Sequence, residues 1–415
     1  MKKSVVIFIT AVCLLITGCG DEGSLSKLPS SSFHEDKQKL TIMHIDADNK
    51  RFQDFIEETE KKLDMEITVE KCPSNADNRQ AKISTILASG DKNIDLISVN
   101  DEMISEFKHK GYLEPLEKNV MTEEVRDSFP QKYLESICEE NGHIYSVPFQ
   151  MDIMMFWVNQ ELLKQAGLDE IKNNGDFDIL QKSLKNPDQY AYGDAWENTH
   201  VYNSLSQFVN FWGGDYFDWT DPKTKDAARY MKSMLDEKNT SPAQFVDQYE
   251  QMEEKFIRGK YGCVFMYTSA LGTFLDADVY GKNKIHMAPL PVLHKKKATN
   301  IATWQYVLNN ASENKDAAVR FLQYAAGYEG STEYAKIMKS YPARVDVIEN
   351  EDIDLEGIDM IRKYLREYTL NARPLCENSM GAVSDMGKLF QGYVLGQCEE
   401  DSFFEQAQNC INTYY

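Results

Sequence analysis

Residues 40–45 read Leu-Thr-Ile-Met-His-Ile, a short apolar run that predicts a β-strand. A helical pattern follows in residues 52–63, where apolar side chains recur with charged side chains between them. Residues 65–70 then alternate apolar and polar, as a half-buried strand does. The sequence repeats this order with a helix at 79–89 and a strand at 94–99. Because strands and helices alternate, we expect βαβ units and a mainly parallel sheet.

The rest of the chain is richer in helical patterns. Helices are expected at 159–166, from Asp221-Pro222 onwards and at 316–326, with strands at 262–267 and 286–293. From residue 351 to the end the pattern predicts helices. The order of elements therefore indicates an α/β protein whose second half carries more helix.

The composition is that of a globular protein with a sizeable core. The 415 residues are 42% hydrophobic and 11% aromatic, and the length favours two to three domains. Asp and Glu number 66 against 45 Lys and Arg, which gives a formal net charge of -21. This balance argues against nucleic-acid binding and against a polybasic membrane surface, since both need clustered cations.

The N-terminus has the layout of an export signal. Lys2 and Lys3 precede an apolar run at 5–16, which is too short for a comfortable membrane span. The following Thr17-Gly18-Cys19 resembles a bacterial lipobox, which implies cleavage before Cys19 and a lipid on its thiol. We therefore expect a signal peptide at 1–18, a flexible lipid-anchored tether at 19–39 and anchoring to the outer face of the cell membrane. A plain secretory signal with an incidental Cys19 is the alternative.

No catalytic or metal-binding signature is found in the sequence. None of the seven His is paired at the i, i+4 spacing of zinc ligands, and no G-x-S-x-G, Walker loop or G-x-G-x-x-G occurs. We therefore expect no enzyme activity, no cofactor and no metal site. Six Cys remain beyond Cys19, and in a core of this size we expect mostly buried free thiols.

A series of short motifs occurs in a characteristic order, although each motif is weak by itself. Ordered along the chain, they are Gly142-His143-Ile144-Tyr145-Ser146-Val147-Pro148, the run from Phe156 to Leu168, Gly213-Gly214-Asp215, Asp221-Pro222, the run from Phe256 to Met266, Ala288-Pro289-Leu290-Pro291, Asn314 to Leu322, and Val394-Leu395-Gly396. Behind a lipobox, this order resembles the family 1 extracellular solute-binding proteins, the lipoprotein receptors of ABC sugar importers. The chain departs from the family at Ile94-Asp95, where Pro-Asp is usual, and at the polar stretch 169–178, where a Pro-rich segment with Trp is usual.

The resemblance implies a periplasmic-binding-protein-like (type II) α/β fold of two lobes, with a hinge of crossing strands. It implies an N-terminal lobe of residues 40–148 and 292–340, and a C-terminal lobe of residues 149–291 and 341–415. The chain is then expected to cross between the lobes near 145–150, 291–296 and 341–344. The ligand is expected in the cleft, where loops at the ends of strands face each other.

Candidate ligand-binding residues are aromatic or planar polar side chains near strand ends, because sugars stack on rings and pair their hydroxyls with planar groups. Asp46, Asp48, Asn100 and Asp101 follow strands, although each is also suited to capping the next helix. Trp212 stands beside two glycines, with a core role as the alternative. The resemblance adds four residues at the crossings or after a buried strand, which are Gln150, Asp152, Tyr267 and Trp304. It also adds Arg344 as a candidate that holds ligand hydroxyls or a ligand carboxylate, with a hinge salt bridge as the alternative.

The function expected from these features is that of a substrate-binding lipoprotein of an ABC importer. It would capture a sugar or oligosaccharide by hinge closure and deliver it to the permease transmembrane subunits. We expect a monomer that contacts the membrane only through its lipid and that binds no nucleic acid. The alternatives are a non-sugar solute such as a peptide, polyamine or organic anion, a sensory or adhesion module of the same fold, and an exported hydrolase.

Overall fold

A computed structural model describes residues 37–73 and 76–415. The signal peptide, Cys19 and most of the expected tether lie outside the described residues. Within the described ranges the chain forms eleven strands, which are β1 (Gln38–His44), β2 (Met65–Lys71), β3 (Leu96–Asn100), β4 (Glu139–Glu140), β5 (His143–Ile144), β6 (Val147–Asn159), β7 (Tyr190–Gly193), β8 (Tyr261–Tyr267), β9 (Ile285–Ala288), β10 (Ala298–Leu308) and β11 (Thr369–Ala372).

Helices surround these strands and make up most of the second half of the chain. In the same described ranges they are α1 (Lys50–Leu63), α2 (Ala76–Ser89), α3 (Asp101–His109), α4 (Glu123–Arg126), α5 (Gln131–Tyr133), α6 (Gln160–Gln165), α7 (Asn174–Ser183), α8 (Val201–Trp212), α9 (Pro222–Asp236), α10 (Tyr249–Ile257), α11 (Ala270–Asp276), α12 (Lys315–Ala326), α13 (Tyr328–Met338), α14 (Val345–Glu349), α15 (Ile358–Glu367), α16 (Ser379–Val394) and α17 (Glu400–Tyr414). A π-helical turn covers Leu134–Cys138 and a 3₁₀ turn covers Pro242–Val246.

The first helix shows how the sequence specifies these elements. The Asn49 side chain accepts a hydrogen bond from the backbone N–H of Arg51 and so caps the start of α1. Phe52, Phe55 and Ile56 recur at helical spacing and are buried against the sheet. The helix ends where Asp64 adopts a left-handed conformation, with φ of 45°. The predicted helix at 52–63 is thus confirmed, with two more residues at its start.

The main sheet is mixed, so the expectation of a mainly parallel sheet was wrong. Its strands lie in the order β2-β1-β3-β10-β6-β8-β7, with β11 beside β10 and β9 beside β6. Among the described strands of this sheet, four pairings are parallel and four are antiparallel. The antiparallel pairings all involve β6 or β10. The strand β6 leads the chain into the second half of the sheet, and β10 leads it back. The two strands therefore run in opposite directions.

The strands β6 and β10 join the two halves of the sheet. Residues 147–153 of β6 pair with β10, whereas residues 154–159 pair with β8 and β9. The change of partner falls between Ile153 and Met154, a few residues after the expected crossing at 145–150. The return crossing is made by β10 itself, just after the expected 291–296. A third segment passes nearby, since the Met151 N–H donates to the Tyr341 carbonyl at 3.0 Å.

A strand occurs where the sequence pattern predicted helices alone. The residues of β11 pair in parallel with Ala298–Ile301 of β10. The following dipeptide, Arg373-Pro374, contains the signal that was missed, because a residue before proline is pushed towards extended backbone. This strand is short and half-buried, so it lacks the apolar run by which longer strands are recognised.

The fold of the described residues is thus an α/β fold whose two half-sheets are joined by crossing strands, as the family resemblance implied. No helix in the described part of the chain is long and apolar enough to cross a membrane. The six cysteines of the described residues are free, with four of them buried and the other two, Cys398 and Cys410, half-buried. The expectation of mostly buried free thiols is confirmed.

Candidate functional site

A cavity of about 340 Å³ opens where β6 and β10 cross between the two halves of the sheet. This volume lies at the lower end of the range of about 300–1,000 Å³ that is usual for small-molecule sites. The elements that line it come from both sides of the crossing: α2, the end of β3, the start of α3, β6, β10, α8, α10, the loop after β8, the segment after β11 and α16. The lining residues are Arg79, Asn100, Glu102, Asp152, Thr199, His200, Asn203, Gln248, Tyr249, Glu250, Tyr267, Ser269, Ala302, Thr303, Trp304, Arg373, Met380 and Val383.

Four of the residues predicted from the sequence line this cavity together, namely Asn100, Asp152, Tyr267 and Trp304. Asn100 and Trp304 are direct partners in the ladder between β3 and β10. Asp101 lies just behind the wall of the cavity, fully buried and bonded to Arg373. Five of the ten candidates are thus at the cavity, when Asp101 is counted with the four that line it.

The other five candidates do not line the cavity. Asp46 and Asp48 lie in the loop before α1, where Asp48 forms an ion pair with Lys71. Gln150 accepts a hydrogen bond from the Tyr334 hydroxyl at 3.1 Å. Trp212 is buried at the end of α8 and stacks on the ring of His294, with centroids 4.9 Å apart. The sequence alternative of a core tryptophan describes this position.

Arg344 also lies away from the cavity. Its Nε and Nη2 atoms donate to the two carboxylate oxygens of Asp346, at 3.0 and 2.6 Å. Its remaining bonds go to the Ala326 carbonyl and the Ser128 hydroxyl, both at 2.8 Å. A guanidinium held in this way has its donors committed to the protein, so the salt-bridge alternative describes Arg344.

A buried ionic network forms one wall of the cavity, and its centre is Arg373. The Nη1 atom of Arg373 donates to Oε1 of Glu102 at 2.6 Å, and Nε donates to Oδ2 of Asp101 at 3.3 Å. Further hydrogen bonds join Arg373 Nη2 to Asp101 Oδ1, Arg373 Nη1 to the Tyr202 hydroxyl, and that hydroxyl to Glu102. The network therefore connects the first turn of α3 to α8, which lie on different sides of the crossing strands.

The charges in this network stabilise one another. Burial would raise the pKa of Glu102, but Arg373 and the hydrogen bonds from Tyr202 and Asn100 outweigh burial and hold that pKa below its ordinary value. Burial raises the pKa of Asp101, and Arg373 opposes that rise. Burial would lower the pKa of Arg373, yet the two carboxylates raise it well above its ordinary value, so the guanidinium stays charged.

Aromatic rings supply the flat surfaces of the cavity. Trp304 is half-buried, and the Arg79 guanidinium lies over its ring at 5.4 Å from the centroid. The rings of Tyr249 and Tyr267 stack with their centroids 6.5 Å apart. The Tyr267 hydroxyl donates to Oδ1 of Asn203 at 2.9 Å, which fixes this ring at the cavity wall. Rings held in this way can present faces to the C–H groups of a ligand.

Asp152 is the buried carboxylate of the crossing strand β6. Its Oδ1 atom accepts hydrogen bonds from the Thr268 hydroxyl at 2.7 Å and from the Ser269 backbone N–H at 2.9 Å. Burial raises the pKa of Asp152, and these hydrogen bonds oppose the rise. The sequence showed Asp152 as the anomaly in an apolar run, and the structure shows that its side chain lines the cavity.

Several lining residues were missed because they lie far from strand ends in the sequence. Thr199, His200 and Asn203 come from the start of α8, and Gln248 and Tyr249 come from the start of α10. The polar stretch before α8 was the available signal. Within the described residues, no group of three or more His, Cys, Asp or Glu side chains is arranged to hold a metal ion.

The fold and this cavity define a class: proteins that enclose a small solute between two α/β halves joined by crossing strands. Residues 46–332 match the family described as bacterial extracellular solute-binding proteins. This match covers more than half of the chain. The protein belongs to that family.

Solved structures share the fold at low sequence identity. An ABC transporter solute-binding protein of Thermotoga lettingae, bound with α-D-tagatose, matches with a TM-score of 0.77 and 18% identity over 91% of this chain and 99% of its own. MalE3 of T. maritima, with maltose bound, matches with a TM-score of 0.75 and 16% identity, over 90% of this chain and 99% of its own.

A curated relative is also similar in sequence. A probable amino-acid ABC transporter periplasmic-binding protein of Sinorhizobium fredii is 24% identical over 239 residues, which is 55% of this chain. The matched region spans about half of that relative, 54% of its length. Similarity over half the length supports common descent of that region.

Proposed function

We propose that the protein is the substrate-binding component of an ABC importer, and that it captures a sugar or oligosaccharide in the cavity between its two lobes. The observation that carries this proposal is the position of Trp304 and Tyr267 beside Asn100, Asp152 and Glu102, at the crossing strands. Flat rings beside planar polar groups are what a polyhydroxylated ring requires. Structural neighbours with bound tagatose and maltose support the same ligand class.

The proposed mechanism is closure of the lobes around the ligand, followed by delivery to the permease subunits. We assign residues 40–148 and 292–340 to one lobe and residues 149–291 and 341–415 to the other. The network of Arg373 is positioned to report closure, because it joins α3 to α8 across the crossing strands. Ligand binding then stabilises a closed conformation, and a partner can recognise this conformation.

We further propose that the protein acts outside the cell membrane, tethered by lipid on Cys19, and works as a monomer without bond chemistry. Membership of an extracellular family and the lipobox-like Thr17-Gly18-Cys19 support the location. The cavity favours a sugar over an organic anion. Arg344, the cation expected to clamp an anion, lies elsewhere, and Arg373 is committed to two carboxylates.

The test is thermal unfolding of the purified protein against a panel of mono- and oligosaccharides, with amino acids, peptides and organic anions as controls. A ligand at 100 times its Kd adds about 2.7 kcal/mol to the free energy of unfolding, which raises the Tm clearly. We expect a rise with one sugar series and no turnover of chromogenic glycosides. A rise with an anion alone would overturn the sugar proposal, and turnover would overturn the non-enzymatic role.

A further inference from the structure

Asp152 is a buried carboxylate that the protein does not neutralise. It is 7% exposed and, among the described residues, no Lys, Arg or His nitrogen lies within 4 Å of its carboxylate oxygens. The cation that influences it electrostatically is Arg373, whose guanidinium is held by Asp101 and Glu102. A buried carboxylate is usually paired with a cation, because desolvation of an isolated charge is costly.

The hydrogen bonds of Asp152 leave one side of the carboxylate for a ligand. The hydrogen bonds from the Thr268 hydroxyl and from the Ser269 backbone N–H both go to Oδ1. The Ser269 hydroxyl also lies close enough to stabilise the charged form. Asp152 also lines the cavity, so a ligand can reach its carboxylate from there.

The rest of the cavity is also rich in acceptors and in negative charge. Oδ1 of Asn100 is buried and has no hydrogen-bond partner in the described part of the chain, although its Nδ2 donates to Glu102 at 2.8 Å. Two guanidinium groups, those of Arg79 and Arg373, lie at the cavity. Four carboxylates lie at the cavity or directly behind it, namely those of Asp101, Glu102, Asp152 and Glu250. An incoming ligand therefore meets a site with more carboxylates than cations and with an unpaired acceptor on Asn100.

Aromatic rings close to Asp152 add to this preference. Tyr267 and Tyr249 line the cavity beside it, and the carbonyl of Ile153 and the hydroxyl of Thr268 fix the loop that carries Ser269. The face of an aromatic ring attracts a cation. The guanidinium of Arg373 already lies 5.9 Å from the centre of the Tyr267 ring, which shows that this ring accepts a cation nearby.

We propose that the ligand carries a protonated primary amine, which binds against Asp152 and beside the rings of Tyr249 and Tyr267. This proposal rests on the proposed function and narrows its substrate class to amine-bearing solutes. An ammonium group brings a positive charge for Asp152 and three donors, one of which the unpaired Oδ1 of Asn100 can accept. Two sources share this chemistry, an amino sugar and a linear polyamine, and the ring of Trp304, which lines the same cavity, favours the sugar.

The experiment compares ligands that differ in one group. Glucose, glucosamine and N-acetylglucosamine, with the matching β-1,4-linked oligosaccharides and spermidine, are titrated calorimetrically into the purified protein. We expect the amine-bearing sugar series to bind at least tenfold more tightly than the neutral and the acetylated series. The variant Asp152→Asn keeps an acceptor for Thr268 and Ser269, and we expect it to lose that preference for the amine.

The matched control is Asp236→Asn, which removes an exposed carboxylate on α9 that pairs with Lys232. It should leave the preference for the amine unchanged. Equal or tighter binding of neutral sugars by the unaltered protein would overturn the amine proposal and leave the sugar importer intact. Binding of spermidine without any sugar would support the amine and overturn the sugar. Failure of all these ligands would overturn both, and these readouts on the unaltered protein do not depend on the folding of Asp152→Asn.

Discussion

The Nη1 atom of Arg373 lies 2.6 Å from Oε1 of Glu102, and the same guanidinium bonds to the fully buried Asp101. The two carboxylates open α3, whereas Arg373 follows β11 and contacts Tyr202 of α8. One buried cation therefore holds together elements from both sides of the crossing strands. Its removal leaves two carboxylates without their counter-charge.

We predict that Arg373→Met destabilises the protein by about 3–5 kcal/mol, because a buried charge without its partner is strongly unfavourable. Urea unfolding measures this change in the free energy of unfolding. The control is Arg366→Met, since Arg366 forms an exposed pair with Glu349 and should change stability little. Adding Asp101→Asn to Arg373→Met should recover part of the loss. Equal effects of the two arginine variants would contradict the role of the buried network.

A second prediction concerns the ring of Trp304. Take the sugar that raises the Tm of the unaltered protein. Trp304→Ala should weaken the binding of that sugar at least tenfold, about 1.4 kcal/mol, because a central aromatic contact usually dominates a binding site. Trp304→Phe should retain most of the affinity. Isothermal titration of both variants checks this. Trp212→Phe serves as the control, since Trp212 packs on His294 away from the cavity. If Trp212→Phe lost as much affinity as Trp304→Ala, the cavity would not be the binding site.

The contrast between Asn100 and Asp46 shows how far sequence reasoning reaches. Both follow a predicted strand and precede a helix, so the sequence makes both of them candidate ligand-binding residues. The strand before Asn100 pairs with the crossing strand β10, whereas the strand before Asp46 pairs with β2 and β3, one position further out. Only the end next to the crossing strands reaches the cavity. Strand order comes from long-range pairing, which local patterns do not contain.

Arg373 shows the opposite case, a central residue that sequence reasoning missed. Its importance depends on contacts with Asp101 and Glu102, which lie about 270 positions earlier in the chain. No local pattern marks such a partner. The alternation of strands and helices up to residue 99 was predicted well, in contrast, because apolar periodicity depends on neighbours within a few residues.

A third prediction compares two glycines of α16. A Cβ atom at Gly387 would overlap the backbone carbonyl of Asn198, the residue that precedes Thr199 and His200 of the cavity. Gly387→Ala should therefore destabilise the protein by about 1–3 kcal/mol and weaken ligand binding. Gly392 has open space around a Cβ, so Gly392→Ala should stabilise by about 0.5–1 kcal/mol. Thermal unfolding and calorimetry check both, and equal Tm values for the two variants would contradict the close approach.

The last prediction concerns the pH dependence of stability. His44 is fully buried, its ring stacks on Phe52 with centroids 3.8 Å apart, and its Nδ1 accepts the Asp46 N–H. Burial lowers the pKa of His44 from 6.5 to about 3. Between these values the unfolded chain binds a proton that the folded protein does not. The free energy of unfolding therefore falls as the pH drops below 6.5, by up to about 1.4 kcal/mol per pH unit from this residue.

Urea unfolding at several pH values between 4 and 7 measures this slope for the unaltered protein and for His44→Gln. The carboxylates contribute equally to both proteins, so the difference between the slopes isolates His44. We expect the variant to be less stable at pH 7, because the stacked ring is lost, but to lose less stability on acidification. Parallel slopes for His44→Gln and the unaltered protein would show that His44 titrates alike in the folded and unfolded chain.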